Sequence, residues 1–466
     1  MVSSSVVIIG AGMAGSVLAH KLAGTFNVTV VELSQKGGDF PIEIEELGQP
    51  AITDPIAMAG PGGTTQAWHN GLIEITPEHF ENWPFGQEEL AQYYPEAYTI
   101  LGGMTREQVE ASAERMREKM VAAGVPEEAL GTSLCYPVDR RNIWQHLCGK
   151  DKCIQQIFGR VTAFDVQNQQ IKAITVETDG GSVRVEADMF IVSSGGLGTP
   201  CILQQLSTKE DSKGVALAGY HYEDHPFAFV GEAQLTGALY KLWNWKIPKE
   251  KATIRLPFIS HMEDGTPVSF YLRPAAMWWR MQKRASLTSV LNELRNHPWR
   301  ITAYFKLLKS WDDVLDILSF KFGIRVPTDR YSLLMVAAQP PQRHQAIHLG
   351  EKGQIVRDWR LDKDYLAALN VAIDGLIEKL GGLVKDFHKY PGWEERLQSS
   401  SHHSGTARLA KDDCQGVCDA NHKVFGYENL YACDGSSIPD SGYANTGITI
   451  TALALRLADK LIQQKG

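Results

Sequence analysis

A glycine-rich turn near the start of the chain constrains the fold more than any other feature. Val6 to Ile9 form an apolar, β-branched run, as expected of a parallel strand that is buried on both faces. The turn Gly10-Ala11-Gly12-Met13-Ala14-Gly15 follows at once, and the apolar residues between Val17 and Leu22 then recur at helical spacing. A second strand is predicted from Val28 to Leu33. Together these segments predict one βαβ unit.

The residues of this turn have separate physical roles. Gly10 permits the tight turn, Gly12 lets a pyrophosphate approach the backbone, and Gly15 lets the helix pack closely against the strand. The start of the helix, at Met13 and Ala14, presents N–H groups and the positive end of the helix dipole to phosphates. The turn is therefore predicted to bind a dinucleotide.

An acidic residue supports this interpretation. Glu32 lies about 20 residues beyond Gly12, at the end of the second predicted strand, where a carboxylate can bind ribose hydroxyls. FAD and NAD both bind to loops of this kind, but the chain has no second G-x-G-x-x-G motif. A flavoenzyme that is reduced by NAD(P)H would usually need a second nucleotide site. A single motif therefore favours one tightly bound FAD that is reduced by the substrate itself.

The composition is that of a globular protein. The chain has 466 residues, of which 44% are hydrophobic and 21% are charged, so it suits two or three domains or one domain with a large insert. Its formal net charge of −8 argues against nucleic acid as a partner. The chain does not open with a signal-peptide pattern, and no apolar run reaches the length of about 18 residues that indicates a membrane span. A cytoplasmic protein with no transmembrane segment is expected.

The cysteines indicate neither a disulfide framework nor a metal centre. The chain has seven of them, an odd number, and no C-x-x-C pair. Free thiols in a reducing compartment are the expected state. Cys414 and Cys418 could bind a metal ion, but no second pair of ligands stands at a suitable spacing, so no metal site is expected.

The rest of the chain predicts further strands and helices. Residues 366–380 share an apolar helical face, with Asp362 as the cap of the helix and Gly381 as its end. A stretch at 283–323 mixes aromatic residues with lysines; core packing is the favoured interpretation, and a membrane-surface helix, a substrate lid and a dimer face are alternatives. The other predicted elements are a polar helical cap at 79–128, alternating strands at 158–193, strands at 268–272 and 333–338, and a last helix at 448–462.

Four later segments carry a resemblance to a known family. They are Gly60-Pro61-Gly62-Gly63-Thr64-Thr65-Gln66-Ala67-Trp68-His69-Asn70-Gly71, Ile191-Val192-Ser193-Ser194-Gly195-Gly196-Leu197-Gly198-Thr199-Pro200, Glu223-Asp224-His225-Pro226, and a block from His402-His403-Ser404-Gly405-Thr406 through Asp434-Gly435-Ser436 to Asn445. Together with the N-terminal loop, and in this order, they resemble the glucose–methanol–choline (GMC) family of FAD-dependent oxidoreductases. The middle of the chain, about 227–345, carries almost none of this resemblance.

The resemblance implies an α/β fold of two parts. A Rossmann-type FAD-binding domain is expected over 1–226, with the helical cap at about 79–130. A second, α+β substrate domain built on an antiparallel sheet is expected over 227–395, and the chain is expected to return to the FAD-binding domain at 396–466. Because the substrate surface of the family lies in the middle region, the substrate itself stays open.

The resemblance also implies a set of cofactor contacts beyond the N-terminal loop and Glu32. His69 is a candidate for covalent attachment of the flavin, but noncovalent FAD is the favoured reading. Thr446 and Gly447 begin a helix that would present N–H groups to the flavin. The further implied contacts are Gly62, Gly63, Thr64, Thr65, Trp68, His69, Asn70, Val161, Ser194, Gly195, Asp434, Gly435, Asn445, Thr446 and Gly447.

Two residues of the C-terminal block would do the chemistry. In the pattern H-x-x-G-T the first histidine faces the flavin, and here that residue is His402. An imidazole suits removal of a hydroxyl proton because its ordinary pKa is about 6.5. Asn445 stands where the family has His or Asn, and its amide can hold the substrate oxygen or cap the following helix. His403 is expected to be structural.

The function that the resemblance implies is oxidation of a primary or secondary alcohol to a carbonyl, with hydride transfer to flavin N5. A sugar, an aminocyclitol or another polyol is the favoured small-molecule substrate. An FAD-dependent lyase or decarboxylase on the same fold and a flavin-binding protein without activity are the alternatives. The electron acceptor, whether oxygen, a quinone or another compound, and a possible homo-oligomer stay open.

We expect the purified protein to be yellow and to release FAD rather than FMN on denaturation, because the loop and Glu32 suit a dinucleotide. Chromatography of the released flavin measures this. A colourless protein that FAD cannot reconstitute would contradict the interpretation. Colour that stays with the precipitated chain would instead indicate a covalent flavin, with His69 as the first candidate.

Overall fold

The structure is a computed structural model, and the residues that it describes fall into thirteen stretches of the chain. Within these stretches, every helix is too short or too polar to cross a bilayer. The described residues are 4–38, 40–49, 57–66, 71–102, 105–132, 136–137, 142–151, 153–206, 212–243, 256–274, 294, 298–309 and 330–465.

A five-stranded parallel sheet organises the first part of the molecule. Its central strands are apolar and β-branched, and their side chains are almost completely buried, as in a parallel sheet that is covered on both faces. In spatial order the strands are β19 (Leu430–Ala432), β10 (Met189–Val192), β1 (Ser5–Ile9), β2 (Asn27–Glu32) and β6 (Gln155–Phe158).

Two helices, one near each end of the chain, pack against each other beside this sheet. Helix α1 (Met13–Leu22) follows the glycine turn, and α10 (Thr446–Lys465) packs against it. Both contribute buried aliphatic side chains to the same hydrophobic core. The C-terminal residues are thereby fixed next to the N-terminal loop, although more than four hundred residues separate them in sequence.

A cap of short helices lies over α10. Tyr94 is fully buried at this contact, and its hydroxyl lies 3.3 Å from the Thr449 hydroxyl. Thr105 begins the longest cap helix with a reciprocal capping box to Gln108. The helices that follow along the chain up to the second sheet are α2 (Gln87–Ala91), α3 (Tyr94–Leu101), α4 (Arg106–Ala122), α5 (Ile143–Leu147) and α6 (Gly195–Gln204).

A second, antiparallel sheet builds the other part of the molecule around its own hydrophobic core. Helix α9 (Lys363–Leu380) packs its apolar face against this core, and its cap is the one that the sequence predicts, because the Asp362 carboxylate accepts a hydrogen bond from the Tyr365 N–H. The strands are β12 (Phe258–His261), β13 (Pro267–Pro274), β14 (Arg330–Ala337), β11 (Pro226–Leu235) and β17 (Val384–Lys389), and β18 (Gln398–Ser399) pairs with β11.

Three smaller sheets complete the described strands. These sheets comprise β7 (Arg160–Gln167), β8 (Gln170–Thr178) and β9 (Gly181–Glu186); β15 (Ala346–Leu349), β16 (Ile355–Trp359) and β3 (Ile44–Gly48); and β4 (Gly71–Leu72) with β5 (Tyr136–Pro137). The three-stranded antiparallel sheet β7–β9 corresponds to the alternation predicted at 158–193. In the second of these sheets, the Arg357 side chain on β16 is fully buried.

The predicted fold class is confirmed: a Rossmann-type parallel sheet is followed by an α+β region on an antiparallel sheet. Element ends differ slightly from the predictions, since α10 extends to Lys465 beyond its apolar stretch. Much of the aromatic stretch 283–323 lies outside the described residues. Its described part includes α8 (Ile301–Lys309), preceded in the chain by α7 (Gly237–Trp243). Trp299, just before this helix, and Phe305 within it are exposed, so core packing is wrong for these two side chains.

The close packing of the glycine turn predicts opposite consequences for two glycines. A Cβ atom at position 15 would lie 1.9 Å from the Gly10 carbonyl oxygen, whereas one at position 12 meets no described atom within 4 Å. We expect Gly15→Ala to lower the free energy of unfolding of the apoprotein by at least about 1–3 kcal/mol, the usual cost of overpacking. The matched variant Gly12→Ala should stay within about 1 kcal/mol of the parent, since it changes only a helix cap.

The same two variants should separate stability from cofactor binding. Gly12→Ala should weaken FAD binding roughly tenfold or more, because its methyl group fills the space that a pyrophosphate needs. Denaturant unfolding of the apoprotein and fluorescence titration with FAD measure the two effects. A Gly15→Ala apoprotein as stable as the parent, or a Gly12→Ala protein with unchanged FAD affinity, would contradict these assignments.

Candidate active site

The carboxyl ends of four parallel strands meet at one edge of the first sheet. The strands end at Ile9, Glu32, Val192 and Ala432, and a residue predicted to contact the cofactor stands at each end or within two residues of it. The loops are joined by hydrogen bonds: the Ser193 N–H donates to the Ile9 carbonyl at 2.7 Å. In open α/β sheets this edge is where ligands bind.

The N-terminal loop has the geometry that its glycines predict. Gly10 has φ +111°, which favours glycine, and a Cβ atom there would lie 2.4 Å from the Ser193 carbonyl oxygen. Gly12 precedes helix α1 without any side-chain cap, so the N–H groups of Met13 and Ala14 belong to an uncapped helix start. The uncapped helix start and the open space over Gly12 fit the pyrophosphate of a dinucleotide.

A second glycine-rich segment packs against this loop. The Gly62 N–H donates to the Ala11 carbonyl at 2.8 Å, and a Cβ atom on Gly63 would lie only 3.0 Å from the Gly12 Cα. Thr65 is buried, and Thr64 beside it is exposed. The predicted contacts at Trp68, His69 and Asn70 lie outside the described residues.

Glu32 joins the two glycine segments. Its carboxylate accepts hydrogen bonds from the Ala11 N–H at 2.7 Å and from the Gly60 N–H at 2.8 Å, and the side chain is buried. The Glu32 carbonyl accepts from the Gly159 N–H at 2.9 Å, two residues before the buried Val161. The carboxylate therefore shapes the loop, in addition to the ribose contact that the sequence predicts.

Asp434 makes a similar link at the other end of the sheet edge. Its carboxylate accepts from the Gly195 N–H at 2.7 Å, from the Thr199 hydroxyl at 2.6 Å and from the Ser436 N–H at 2.8 Å. The Ser194 hydroxyl, one residue before Gly195, donates to the Ile9 carbonyl at 3.0 Å. Burial raises the pKa of the Asp434 carboxyl, although these hydrogen bonds oppose the rise. Both predicted segments, Ser194-Gly195 and Asp434-Gly435, are thus held together.

His402 is partly buried and is held from two directions. Its backbone N–H donates to the Asp224 carboxylate at 3.1 Å. Its ring nitrogen Nδ1 lies 3.0 Å from Nδ1 of His225, and the two rings meet edge to face with centroids 4.9 Å apart. A histidine held in this way has a fixed ring orientation, which a catalytic base requires.

His225 extends these contacts into the protein. Its Nε2 lies 3.1 Å from the Ser441 hydroxyl, and the ring is almost completely buried. Burial, reinforced by the neighbouring His402, lowers the pKa of His225 to about 3. His225 is therefore neutral, with one donor and one acceptor nitrogen.

The Asp224 carboxylate contacts several groups in this part of the site. Besides the His402 N–H, it accepts from the His225 N–H at 2.7 Å and from the Tyr222 hydroxyl at 2.9 Å, and it lies 3.3 Å from Nδ1 of His403. Burial would raise the pKa of the Asp224 carboxyl, but the hydrogen bond and charge of His403 and the hydrogen bond from Ser399 outweigh it and hold that pKa well below its usual range. His403 thus faces Asp224, as expected of a structural residue.

The pKa of the neighbouring Glu223 is shifted in the opposite direction. Its Oε2 accepts from the backbone N–H of Ser441 at 3.2 Å and from the Ser441 hydroxyl at 3.4 Å. Its Oε1 is buried and has no hydrogen-bond partner among the described residues. Burial and the nearby Asp440 raise the pKa of the Glu223 carboxyl well above its ordinary value, although Arg408 opposes the rise.

Asn445 stands immediately before helix α10. It is partly exposed, and its side-chain amide makes no hydrogen bond to the described residues. The chain reaches Asn445 from Ser441 through a turn in which the Ala444 N–H donates to the Ser441 carbonyl at 3.0 Å. Thr446 and Gly447 are the first residues of the helix, as the sequence predicts. Ser441 thus connects the His225 side of the site to the Asn445 side.

Comparisons with known proteins show which proteins this chain resembles. Residues 380–454 match the family described as GMC oxidoreductase. A 2-methyl-1,2-propanediol dehydrogenase of Mycolicibacterium austroafricanum is 22% identical over 485 aligned residues, which cover 89% of this chain and 83% of that protein. A 6'''-hydroxyparomomycin C oxidase of Streptomyces lividus is 44% identical over 59 residues, which cover 13% of this chain and 11% of that protein. A formate oxidase structure shares the fold, with a TM-score of 0.62 and 15% identity over 99% of this chain and 98% of that one.

The chain is thus similar to GMC oxidoreductases, by the family match over residues 380–454 and at 22% identity along most of its length. The predicted cofactor, FAD, and the predicted enzyme class, a dehydrogenase or oxidase acting on CH–OH donors, are confirmed at this level. The roles of the individual site residues stay a proposal.

Sequence reasoning missed several residues that surround His402. Asp224 and His225 stand in the D-H-P tripeptide that supports the resemblance, but no sequence pattern places them beside His402. Ser441 carried no signal, and nothing distinguished Glu223 within its segment, because both residues acquire their roles only from contacts between segments more than 200 residues apart. The signal that could have found His225 is its place as the histidine of the D-H-P tripeptide, in a chain where His402 needs a partner.

The buried carboxylate of Asp224 predicts a specific loss of stability in acid. A carboxyl whose pKa is depressed by folding contributes stability above its unfolded pKa of about 3.9, and this contribution is lost as the pH falls toward the folded pKa. We expect Asp224→Asn to lower the free energy of unfolding near pH 7 on the order of 3 kcal/mol, since hydrogen bonds to charged groups contribute about 1.5–3 kcal/mol each. The variant should also lose stability less steeply than the parent below about pH 4.

Denaturant unfolding followed between neutral and acid pH measures both effects. Asp179→Asn, which removes an exposed carboxylate, is the control and should follow the parent closely. Parallel curves for Asp224→Asn and the parent in acid would show that Asp224 is not held ionised by the fold.

Proposed function

We propose that the protein oxidises a primary or secondary alcohol of the polyol type to a carbonyl, with His402 as the base and Asn445 as the group that holds the substrate oxygen. The observation that carries the proposal is the fixed orientation of His402, whose backbone and Nδ1 are held by Asp224 and His225 at the strand edge where the cofactor loops meet. A bound FAD would supply the hydride acceptor.

His402 would accept the hydroxyl proton at Nε2. Its other ring nitrogen is engaged with His225, and this contact orients the ring in the way that a partner of a catalytic histidine does. Neutral His225 cannot compete as a cation, because its pKa is lowered to about 3. Removal of the proton makes the alcohol carbon a better hydride donor, so the base acts directly on the oxidation step.

Asn445 would bind the substrate oxygen through its amide, which makes no hydrogen bond to the described residues. An amide donates and accepts hydrogen bonds but does not take up a proton near neutral pH, so it positions the oxygen and leaves the proton to His402. The backbone N–H groups of Thr446 and Gly447, at the start of α10, would favour negative charge on the bound cofactor.

The loops at the strand edge would hold FAD. Gly12, Met13 and Ala14 would hold the pyrophosphate at the uncapped helix start, and Glu32 would add a ribose contact to its two backbone bonds. The second glycine segment, Val161, Ser194-Gly195 and Asp434-Gly435 complete the proposed contacts. The proposed domain limits are 1–226 and 396–466 for cofactor binding and 227–395 for substrate.

Two relatives support a polyol-like substrate. One is named for a diol and the other for a hydroxylated paromomycin, and both names describe alcohols with further polar groups. The electron acceptor would be oxygen, a quinone or another compound. Anaerobic mixing with a panel of simple alcohols, diols, sugars and aminocyclitols tests the substrate class, and admission of oxygen then tests the acceptor. A lyase or decarboxylase on this fold would leave the flavin absorbance unbleached by every alcohol.

The different roles proposed for His402 and Asn445 give the central prediction. His402→Ala should slow anaerobic flavin reduction by a good alcohol roughly 10²–10⁴-fold, the contribution of general acid–base catalysis. Asn445→His keeps a polar group beside the substrate oxygen and should retain more activity than His402→Ala. Stopped-flow absorbance measures both rates.

FAD content is the control for this comparison. Both variants should keep their FAD, because neither change touches the phosphate loop. Reduction of His402→Ala as fast as the parent would move the assignment of the base to another histidine, His403 or His69.

A further inference from the structure

A line of polar side chains runs from His402 into the protein and ends at Glu223. His402 Nδ1 lies 3.0 Å from His225 Nδ1, and His225 Nε2 lies 3.1 Å from the Ser441 hydroxyl. That hydroxyl lies 3.4 Å from Glu223 Oε2. His225, Ser441 and Glu223 are each only 1% exposed, so water does not compete for these contacts.

The direction of the hydrogen bonds along this line depends on one proton. An ionised Glu223 can only accept, so the Ser441 hydroxyl donates to it and must accept from His225 Nε2–H. His225 Nδ1 then accepts from His402 Nδ1–H, and His402 Nε2 keeps its lone pair. A protonated Glu223 can donate to Ser441, which reverses every bond and places the His402 proton on Nε2.

Ser441 can serve in both directions. A hydroxyl has one donor and two acceptor positions, and the Ser404 hydroxyl, 3.2 Å away, donates to it in either case. His225 can also serve in both directions, because it is neutral and has one nitrogen of each kind. The line therefore has two complete arrangements, and neither leaves a bond of the line unmade.

We propose that Glu223 is a positioning residue that decides, through Ser441 and His225, which ring nitrogen of His402 carries the proton. Ionised Glu223 sets the tautomer in which His402 Nε2 is basic, and protonated Glu223 sets the inactive one. This inference rests on the proposed role of His402 as the base and adds a pH-dependent control of that base.

The charges around the line determine the pH range in which this control acts. Glu223 is faced by Asp440, which raises its pKa in addition to burial, and by Arg408, which lowers it. Asp440 is itself paired with His79, at 3.0 Å between its Oδ1 and the His79 Nδ1. The raised pKa of Glu223 moves its ionisation from the acid range, where an ordinary glutamate titrates, toward the range in which enzymes work.

The charges that face His225 do not let it titrate in this range. Burial, His402 and His79 lower the pKa of His225, and they outweigh Asp224 and Asp440, which raise it, so the pKa falls to about 3. His225 thus transmits the state of Glu223 without changing its own charge. The basic tautomer of His402 should gain population as the pH rises through the pKa of Glu223.

Nitrogen NMR of the holoenzyme labelled with 15N-histidine reports the tautomer directly. The His402 signals are assigned by their loss in His402→Ala. In the parent, the neutral His402 should change from the Nε2–H form to the Nδ1–H form as the pH is raised. This readout needs no substrate and is independent of turnover.

Two variants test the line, and a third is the matched control. In Glu223→Gln the amide oxygen should occupy the Oε2 position, because the Ser441 N–H donates there, so neutral His402 should stay in the Nδ1–H form at every pH. Ser441→Ala interrupts the line and should abolish the pH-dependent change of tautomer. Ser404→Ala removes an equally buried serine hydroxyl that contacts Ser441 but lies outside the line, and it should behave as the parent does.

The kinetic expectations follow the tautomers. Above the pKa of Glu223, Ser441→Ala should slow flavin reduction roughly tenfold or more, since a base that is no longer held in the right tautomer loses part of its 10²–10⁴-fold contribution. Glu223→Gln should reduce its flavin faster than the parent on the acid side, so that one ionisation disappears from its pH profile. A merely structural glutamate, replaced by the isosteric amide, would leave the profile unchanged.

The outcomes separate this inference from the function on which it rests. Parent enzyme that no alcohol reduces, or that tolerates His402→Ala, would overturn the proposed function. Normal alcohol oxidation with strong dependence on His402, but with a single tautomer at all pH values or with parent-like switching in Ser441→Ala, would overturn the role of Glu223 alone. If Glu223→Gln does not fold, the parent titration and Ser441→Ala still decide.

Discussion

The carboxylate of Asp224 is the contact on which the arrangement of the site depends. It accepts hydrogen bonds from two backbone N–H groups, those of His225 and His402, which lie far apart in the sequence. The same carboxylate binds the Tyr222 and Ser399 hydroxyls. Strand β11 begins two residues later at Pro226 and pairs with Gln398–Ser399. One buried charge therefore fixes the histidine pair at the junction of the two sheets.

Glu32 and Asp434 use the same physical principle at the parallel sheet. Each is a buried carboxylate that accepts backbone N–H groups from a different segment, Ala11 and Gly60 for Glu32, and Gly195 for Asp434. A cofactor site assembled from several loops needs such links, because loop backbone offers no ladder of hydrogen bonds of its own. The cost of burying each charge is offset by charge-assisted hydrogen bonds, which also fix the loops in one geometry.

The parts of this molecule that follow local rules could be predicted from the sequence. The turn from Gly10 to Gly15, the cap at Asp362 and the helix after Asn445 depend on neighbours within a few residues, and the structure shows them as predicted. The fold class followed from the order of such elements together with the family resemblance.

The polar line behind His402 could not be predicted in this way. His225 meets His402 only because β11 and the C-terminal block are brought together by a sheet whose register depends on the whole second core. A serine such as Ser441 has no pattern that distinguishes it from a surface serine until the contact is made. The aromatic side chains of α8 were predicted to pack in the core, but they are exposed. An apolar helical pattern indicates which face of a helix is apolar, but not what covers that face.

Glu223 and Asp224 show why position, rather than residue type, determines the chemistry here. They are adjacent acids with almost no exposure, yet folding raises the pKa of one and lowers that of the other. Asp224 receives hydrogen bonds on both oxygens and has His403 beside it, whereas Glu223 has one oxygen without a partner among the described residues and Asp440 nearby. Because side chains of successive residues in an extended backbone point to opposite sides, one acid can stay permanently charged and hold the histidines while its neighbour can gain or lose a proton.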